Sequence, residues 1–474
     1  MSSQQQVVFD LGAAGLRVRL PASADLLTMG VAAPVADPSA AIEAALAQPI
    51  GTPALDRIVR DKLAADPAVT AVVVISDNTR PVPYRGPSGI LWPVVRTMLA
   101  EGLPPERITV LVATGTHRPV TEGELAEMLD PRVLAAGVRV VNHDCRDEGS
   151  LHYVGTTPRG TRIAINHLYL RAGIRVLTGL VESHFMAGAS GGRKAVVPGL
   201  MGEQGTYVFH GAEILSSPDA RDLLLDGNPC HEESLAGARL APPDLIVNVT
   251  LDRQFNLTGV FAGELDQAHR VAFDHLKSYA GIQLHEPYDV VLTHAGRVGI
   301  NHYQAAKGAL AGAAAVRPGG WLVLAANHSD VDPVGSARYR TTLHLLRMLG
   351  PEGYERLLAA REWQFVPDQW QPQMWAKALR RVPAAQLYYC ALGLAERDYD
   401  VIPGRNAWGL SGPASPCAGG ESAGADRRNL EDLARVTAAA VDQALREARA
   451  SGISQPRLAC LLDGPYGIPL VGGE

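Results

Sequence analysis

The chain has 474 residues, 47% of them hydrophobic, enough for large buried cores and more than one domain. A formal charge of −6, with no block of Lys or Arg, argues against nucleic acid or another polyanion as partner. The opening "MSSQQQVVFDLG" lacks a basic region ahead of an apolar signal core, and runs such as "WLVLAA" are too short to span a bilayer.

Cys145, Cys230, Cys390, Cys417 and Cys460 show no CxxC spacing, which predicts neither a zinc knuckle nor a disulfide framework. The expectation is a soluble protein of a reducing, cytoplasmic compartment.

In chain order, "VTAVVVISDNTRP" predicts a buried strand from Val69 to Ile75 that delivers polar residues at its end. "LWPVVRTMLAEG" has the spacing of an amphipathic helix. "RITVLVATGTHRP" repeats the first pattern, a strand from Ile108 to Ala113 followed by Thr114, Thr116 and His117. "GIRVLTGLVESH" and "DLIVNVTLDRQF" predict two more strands. Strand–helix–strand order with polar groups at strand ends is the α/β pattern, in which sites gather at the carboxyl edge of a parallel sheet.

A second block is expected from about Gly263. "ELDQAHRVAFDHLKSYAG" predicts a connecting helix, and "YDVVLTHAG", "YQAAKGALAGAAAVRP" and "GWLVLAANHSD" form another strand–helix–strand unit. The polar, glycine-rich run from Gly409 to Arg428 predicts a loop or linker. "NLEDLARVTAAAVDQALREAR" then predicts a helix and "PRLACLLDGPYGIPL" a late strand and turn. The expected domains are 1–265, 266–400, and a C-terminal segment, 401–474, packing back on the core.

"ESHFMAGASGGRKAVVPG" carries the most chemistry. It is not a Walker loop, because Arg193 precedes the lysine where that motif has glycine and Ala195 replaces the hydroxyl that binds magnesium. No strand-coupled GxGxxG supports a dinucleotide. The small residues suit a tight turn or an anion-binding nest, and Lys194 is either a solvated cation, a nucleophile or a covalent anchor. His117 and His184 follow strands and could flank one ligand as acid and base, while His210 could give an imidazole to a metal whose other donors come from a cofactor. In "SDNTRP", Arg80 could grip a carboxylate and Asp77 orient a histidine. Gln304 and Lys307, three apart on a predicted helix, could hold a carboxylate and a hydroxyl or form a solvated face.

Together, "SDNTRP", "ATGTHRPVT", "ESHFMAGASGGRKAVVPG", "FHG", "LDGNPCHEE", "NHYQAAKG" and "DGPYGIPL" resemble the nickel-pincer-nucleotide-dependent lactate racemase family. The resemblance implies a two-domain α/β architecture with an active-site cleft between domains, and inversion of carbon 2 of a 2-hydroxy acid by reversible hydride transfer. It implies the nickel-pincer nucleotide (pyridinium-3-thioamide-5-thiocarboxylic acid mononucleotide) and nickel as cofactors, with maturation proteins that supply them.

By the same resemblance Lys194 forms the thioamide attachment, His210 is the protein's nickel ligand, and Gly191 and Gly192 seat the cofactor. His117 and His184 are the paired acid and base. Arg80, Gln304 and Lys307 grip the substrate, and Asp77 supports the first histidine. Gly299 stands where relatives commonly place an aspartate. Which 2-hydroxy acid is bound stays open, from lactate to dicarboxylic and sugar acids. The other readings are a storage or delivery protein for the same cofactor, and an NAD-dependent 2-hydroxy-acid dehydrogenase.

Overall fold

The computed structural model describes residues 4–11, 15–410 and 423–472, with the side chains of 423–427 left aside. The chain divides into two compact units, Val31–Tyr279 in one, and Met1–Gly30 with Ala280–Glu474 in the other.

The Val31–Tyr279 unit is built on a six-stranded sheet in the order Leu257–Gly263, Leu245–Leu251, Ile174–Leu180, Ala71–Ser76, Ile108–Ala113, Arg139–Asn142. All neighbours are parallel except the edge strand Leu257–Gly263. The central strand AVVVIS is buried along nearly its whole length because both faces are covered. Alternate residues go to opposite cores: Val73 and Ile75 pack with Val110, Val176 and Val247, while Val72 and Val74 pack with Leu111, Leu177 and Ile246. On the first face the helix Leu91–Ala100 buries Leu91, Val94, Val95 and Met98, the i, i+3, i+4, i+7 stripe read from the sequence.

The other unit holds a second six-stranded sheet, ordered Arg405–Asn406, Leu387–Leu392, Val316–Asn327, Tyr288–His294, Leu458–Leu461, Asp25–Leu27, parallel throughout. The helix Ala423–Ala450 is tied to it by Glu447, which accepts from Trp321 Nε1 (3.0 Å), Tyr388 Oη (2.7 Å) and Arg405 (2.8 Å). Burial alone would raise the Glu447 carboxyl, but these donors hold it down to about 2. Cys145, Cys230, Cys390 and Cys460 are buried thiols. Among the described residues no helix is long and apolar enough to cross a membrane.

The partition differs from the boundaries drawn at 265 and 400. Leu458–Leu461 pairs with both Tyr288–His294 and Asp25–Leu27, so strand pairing draws the two chain ends into one sheet. The helix Gln267–Ala280 stays with the preceding residues because its His269 is buried against Arg193 and Ser190. The predicted loop at 409–428 lies mostly outside the described residues, and the helix already begins at Ala423.

Asp463 secures the N-terminal segment, its Oδ2 accepting from Thr28 Oγ1 (2.9 Å) and Met29 N (2.6 Å) while its side chain is buried. Hydrogen bonds to a charged acceptor contribute roughly 1.5–3 kcal/mol each. Asp463→Ala is therefore expected to destabilise this unit by about 3 kcal/mol or more, read as a lower urea midpoint, with Asp463→Asn losing less.

Candidate active site

The site residues of the Val31–Tyr279 unit collect where its sheet changes direction. From Ala71–Ser76 the chain adds Ile108–Ala113 and then Arg139–Asn142 on one side, and afterwards places Ile174–Leu180 on the other. The loops leaving the carboxyl ends of these two central neighbours part, and such a switch point is where α/β sheets bind ligands. Asp77–Arg80 follow the first strand and Glu182–His184 the second, while His117 follows Ile108–Ala113.

Asp77 is buried, and its Oδ2 lies 2.6 Å from Nδ1 of the exposed His117. Its Oδ1 accepts from Thr79 N (3.1 Å) and Thr79 Oγ1 (2.6 Å). Burial pushes the carboxyl up, but the bonds from His117 and Thr79 outweigh it and hold the group below its ordinary value. An ionised carboxylate at Nδ1 fixes the ring proton there and leaves Nε2 with its lone pair. Arg80 turns its Nε to Glu182 Oε1 (3.0 Å), and one of its Nη groups reaches Thr79 O (3.3 Å).

Glu182 opens the loop that carries Lys194. The two-residue strands Ser183–His184 and Gly188–Ala189 pair antiparallel, and Ser190 closes the turn, its N donating to Glu182 O (2.9 Å) while Glu182 N donates to Ser190 Oγ (3.0 Å). Gly188 is required here: it has φ +77°, and a Cβ would lie 2.0 Å from Leu224 O. His184 Nδ1 faces two backbone donors, Met186 N and Ala187 N, both at 3.2 Å. Those amides mark Nδ1 as an acceptor, and Nε2 lies 3.2 Å from Lys194 Nζ. Lys194 sits in the 3-10 turn Gly192–Ala195, half-buried, with its ammonium end 6.0 Å from the centre of the Phe209 ring.

Gly191 and Gly192 shape this turn by fitting against protein. A Cβ at Gly191 (φ +77°) would stand 2.7 Å from Val181 Cγ2, and one at Gly192 (φ +52°) 2.8 Å from the His269 ring. Gly192 N donates to the buried Asn248 Oδ1 (2.9 Å). Arg193 points inward, 1% exposed, donating to Ala187 O (2.8 Å) and lying 2.9 Å from His269 Nε2. Burial pulls its guanidinium down to about 10, and pulls His269, beside the same cation, down to about 3. A buried arginine among carbonyls and a neutral imidazole is thus the brace behind Lys194.

His210 ends the helix Glu203–Phe209. Desolvation first, then the charges of Lys194 and His117, push its imidazole down to about 3. That coupling brings His210, Lys194 and His117 into one electrostatic neighbourhood, and a neutral imidazole is the form that ligates metal. Among the described residues no group of three or more His, Cys, Asp or Glu could hold a metal ion, so His210 offers a single donor.

Gln304 and Lys307 belong to the other unit, half-buried and one turn apart on the helix His302–Ala315, which follows the strand Tyr288–His294. Asn301 caps that helix by accepting from Gln304 N (2.9 Å). Gly299, just ahead of it, has no room for a side chain, since a Cβ would lie 2.3 Å from Ala295 Cβ.

Sequence reasoning missed Glu182, Ser190, Arg193 and His269. Glu182 had a signal, lying two residues past the strand Ile174–Leu180, as Asp77 lies two residues past the predicted strand ending at Ile75. The inward course of Arg193 had none, because a basic residue beside a glycine turn reads as solvated.

The sequence model of the lactate racemase N-terminal domain matches residues 11–222. The lactate racemase of Lactiplantibacillus plantarum is 32% identical over 340 residues, covering 71% of this chain and 77% of that protein. The lactate racemase of Thermoanaerobacterium thermosaccharolyticum is 31% identical over 341 residues, covering 71% and 76%. The solved lactate racemase apoprotein of the latter organism superposes with a TM-score of 0.78 at 24% identity, over 98% of this chain and 100% of that one, a likeness of fold. With 31–32% identity over 71% of its length, the chain belongs to the lactate racemase family of isomerases.

Proposed function

We propose that the protein inverts carbon 2 of a small 2-hydroxy acid, using a nickel-pincer nucleotide anchored on Lys194. The observation that carries this reading is the meeting of Lys194 with His184, and the electrostatic coupling of both Lys194 and the Asp77-backed His117 to His210. The residues fit such a group: a lysine amine braced from behind for acylation, and a neutral imidazole as one donor to nickel. When bound, the cofactor supplies a reversible hydride acceptor.

The chain's own residues handle charge and protons. Arg80 holds the substrate carboxylate. His117 Nε2 takes the proton of the 2-hydroxyl, and Asp77 stabilises the imidazolium that forms. This proton transfer accompanies loss of hydride from carbon 2 and leaves a planar 2-oxo acid, to either face of which hydride can return. His184, once acylation removes the Lys194 ammonium beside it, carries its neutral-form proton on Nε2 and donates a hydrogen bond to the substrate oxygen. Gln304 and Lys307 complete the substrate grip in this reading, which for those two rests on the family resemblance.

Expression with the cofactor-maturation proteins, followed by intact-mass measurement, tests the anchor. A Lys194-linked adduct with bound nickel is expected in the wild type and should be absent from Lys194→Ala. Adduct without exchange of the carbon 2 hydrogen would turn the reading to storage or delivery, and net 2-oxo-acid formation with added NAD would turn it to a dehydrogenase.

The two histidines should differ in what can replace them. Loss of a general base costs about 10²–10⁴-fold, so His117→Gln should lose that much of kcat. His184→Gln keeps an N–H donor and should stay about tenfold above His184→Ala, a charge-free hydrogen bond being worth roughly 0.5–1.5 kcal/mol. Equal losses in the two Gln variants would refute the assignment. Lys307→Ala should raise KM about tenfold or more, for the roughly 1.5–3 kcal/mol of a charged hydrogen bond, in initial rates of inversion.

A further inference from the structure

We infer that Glu182 positions Arg80 for the substrate carboxylate and, by its charge, selects 2-hydroxy monocarboxylates over 2-hydroxy dicarboxylates. The inference rests on the function proposed above, and it assigns the substrate class which the family resemblance leaves open.

Arg80 and Glu182 leave the carboxyl ends of two adjacent parallel strands, Ala71–Ser76 and Ile174–Leu180, so the sheet itself sets them side by side. The pair is half-buried, with side chains 24% and 30% exposed, and the contact is Nε to Oε1 at 3.0 Å. A guanidinium has five N–H donors in a planar fork. Glu182 takes the Nε edge and Thr79 O takes one Nη hydrogen, which leaves the end of the fork for a bidentate carboxylate. Glu182 is itself held, its backbone bonded on both sides to Ser190 at the base of the Lys194 loop. The carboxylate grip and the lysine loop are thereby fixed to one residue.

The charge follows from the same contacts. Glu182 cancels the cation of Arg80, and Asp77 adds an anion behind His117. Lys194 loses its charge on acylation. The nearby Arg118 is engaged with Glu124 (2.8 Å), and Arg193 is turned into the core. One substrate carboxylate finds the end of the Arg80 fork; on the side of these loops a second would meet Asp77 and Glu182, and the one further cation of the proposed grip, Lys307, belongs to the other unit. Discrimination by an unfavourable charge against the wrong ligand is a common device of specific sites.

The test compares lactate and malate with the cofactor-loaded full chain, following inversion by chiral chromatography. The wild type should favour lactate in kcat/KM. Glu182→Gln keeps an acceptor for Arg80 Nε but removes the charge, and should raise the malate-to-lactate ratio about tenfold, as expected for a like charge in a half-buried site. Glu182→Asp keeps the charge with a shorter reach: KM should rise for both acids while the preference for lactate is kept. Dissociation constants of the two acids for the same full-chain proteins should show the same change in ratio.

An unmoved ratio in Glu182→Gln, or a wild type faster on malate, overturns this inference while leaving the racemase reading intact. A loaded wild type that inverts neither acid nor any longer 2-hydroxy acid overturns the racemase reading, and this one with it.

Discussion

The pairing of Ala71–Ser76 with Ile174–Leu180 is the constraint from which the candidate site follows. In its register Ala71 lies opposite Ile174 and Val74 opposite Leu177. That fixes the points where Asp77 and Glu182 leave the sheet. Both strands are buried on both faces, so a one-residue slip would exchange Val72 and Val74 for Val73 and Ile75 between two differently shaped cores. The cost of such a slip falls on packing far from the site, yet its consequence would be the loss of the Arg80–Glu182 and Asp77–His117 contacts. Site geometry is in this sense a by-product of core packing.

The Lys194 loop depends on a different economy of charge. Arg193 is a cation without water, and a buried charge is tolerated only where its donors find acceptors. Ala187 O accepts from it, and His269 stays neutral beside it. His231, stacked at 6.2 Å on His269 and also buried, is held neutral too, down to about 2, first by desolvation and then by Arg193. Two uncharged imidazoles therefore border a guanidinium where ionised histidines would repel it. The loop turns at Gly188, Gly191 and Gly192 because the space a side chain would need is filled by Leu224, Val181 and His269. These glycines belong to the loop's fit against the protein before they belong to any ligand.

Much of this was legible in the sequence. Continuous apolar runs marked the strands, because a sheet covered on both faces leaves no polar alternation. Polar residues just past those runs marked Asp77, His117 and His184, because the ends of parallel strands are where backbone and solvent meet. What stayed hidden was set by contacts distant in sequence. Leu458–Leu461 joining Asp25–Leu27 is a pairing across more than four hundred residues, and composition carries no trace of it. Arg193 turning into the core depends on His269, and Glu182 engaging Arg80 depends on strand order, neither of which a local pattern encodes.

The two histidines differ in what lies behind them, and that difference decides what each can do. A carboxylate stands at Nδ1 of His117, so the ring is oriented with Nε2 ready to accept and its cation stabilised once formed. Backbone amides stand at Nδ1 of His184, so a cation there would put an N–H against N–H dipoles. In the proposed reaction the same imidazole is thus a proton acceptor on one loop and a neutral donor on the other. In the function proposed above, the planar 2-oxo acid offers its second face only by turning, and with its carboxylate on Arg80 the turn carries the carbonyl oxygen from one histidine toward the other. The charge that develops at His117 is the one Asp77 is placed to balance.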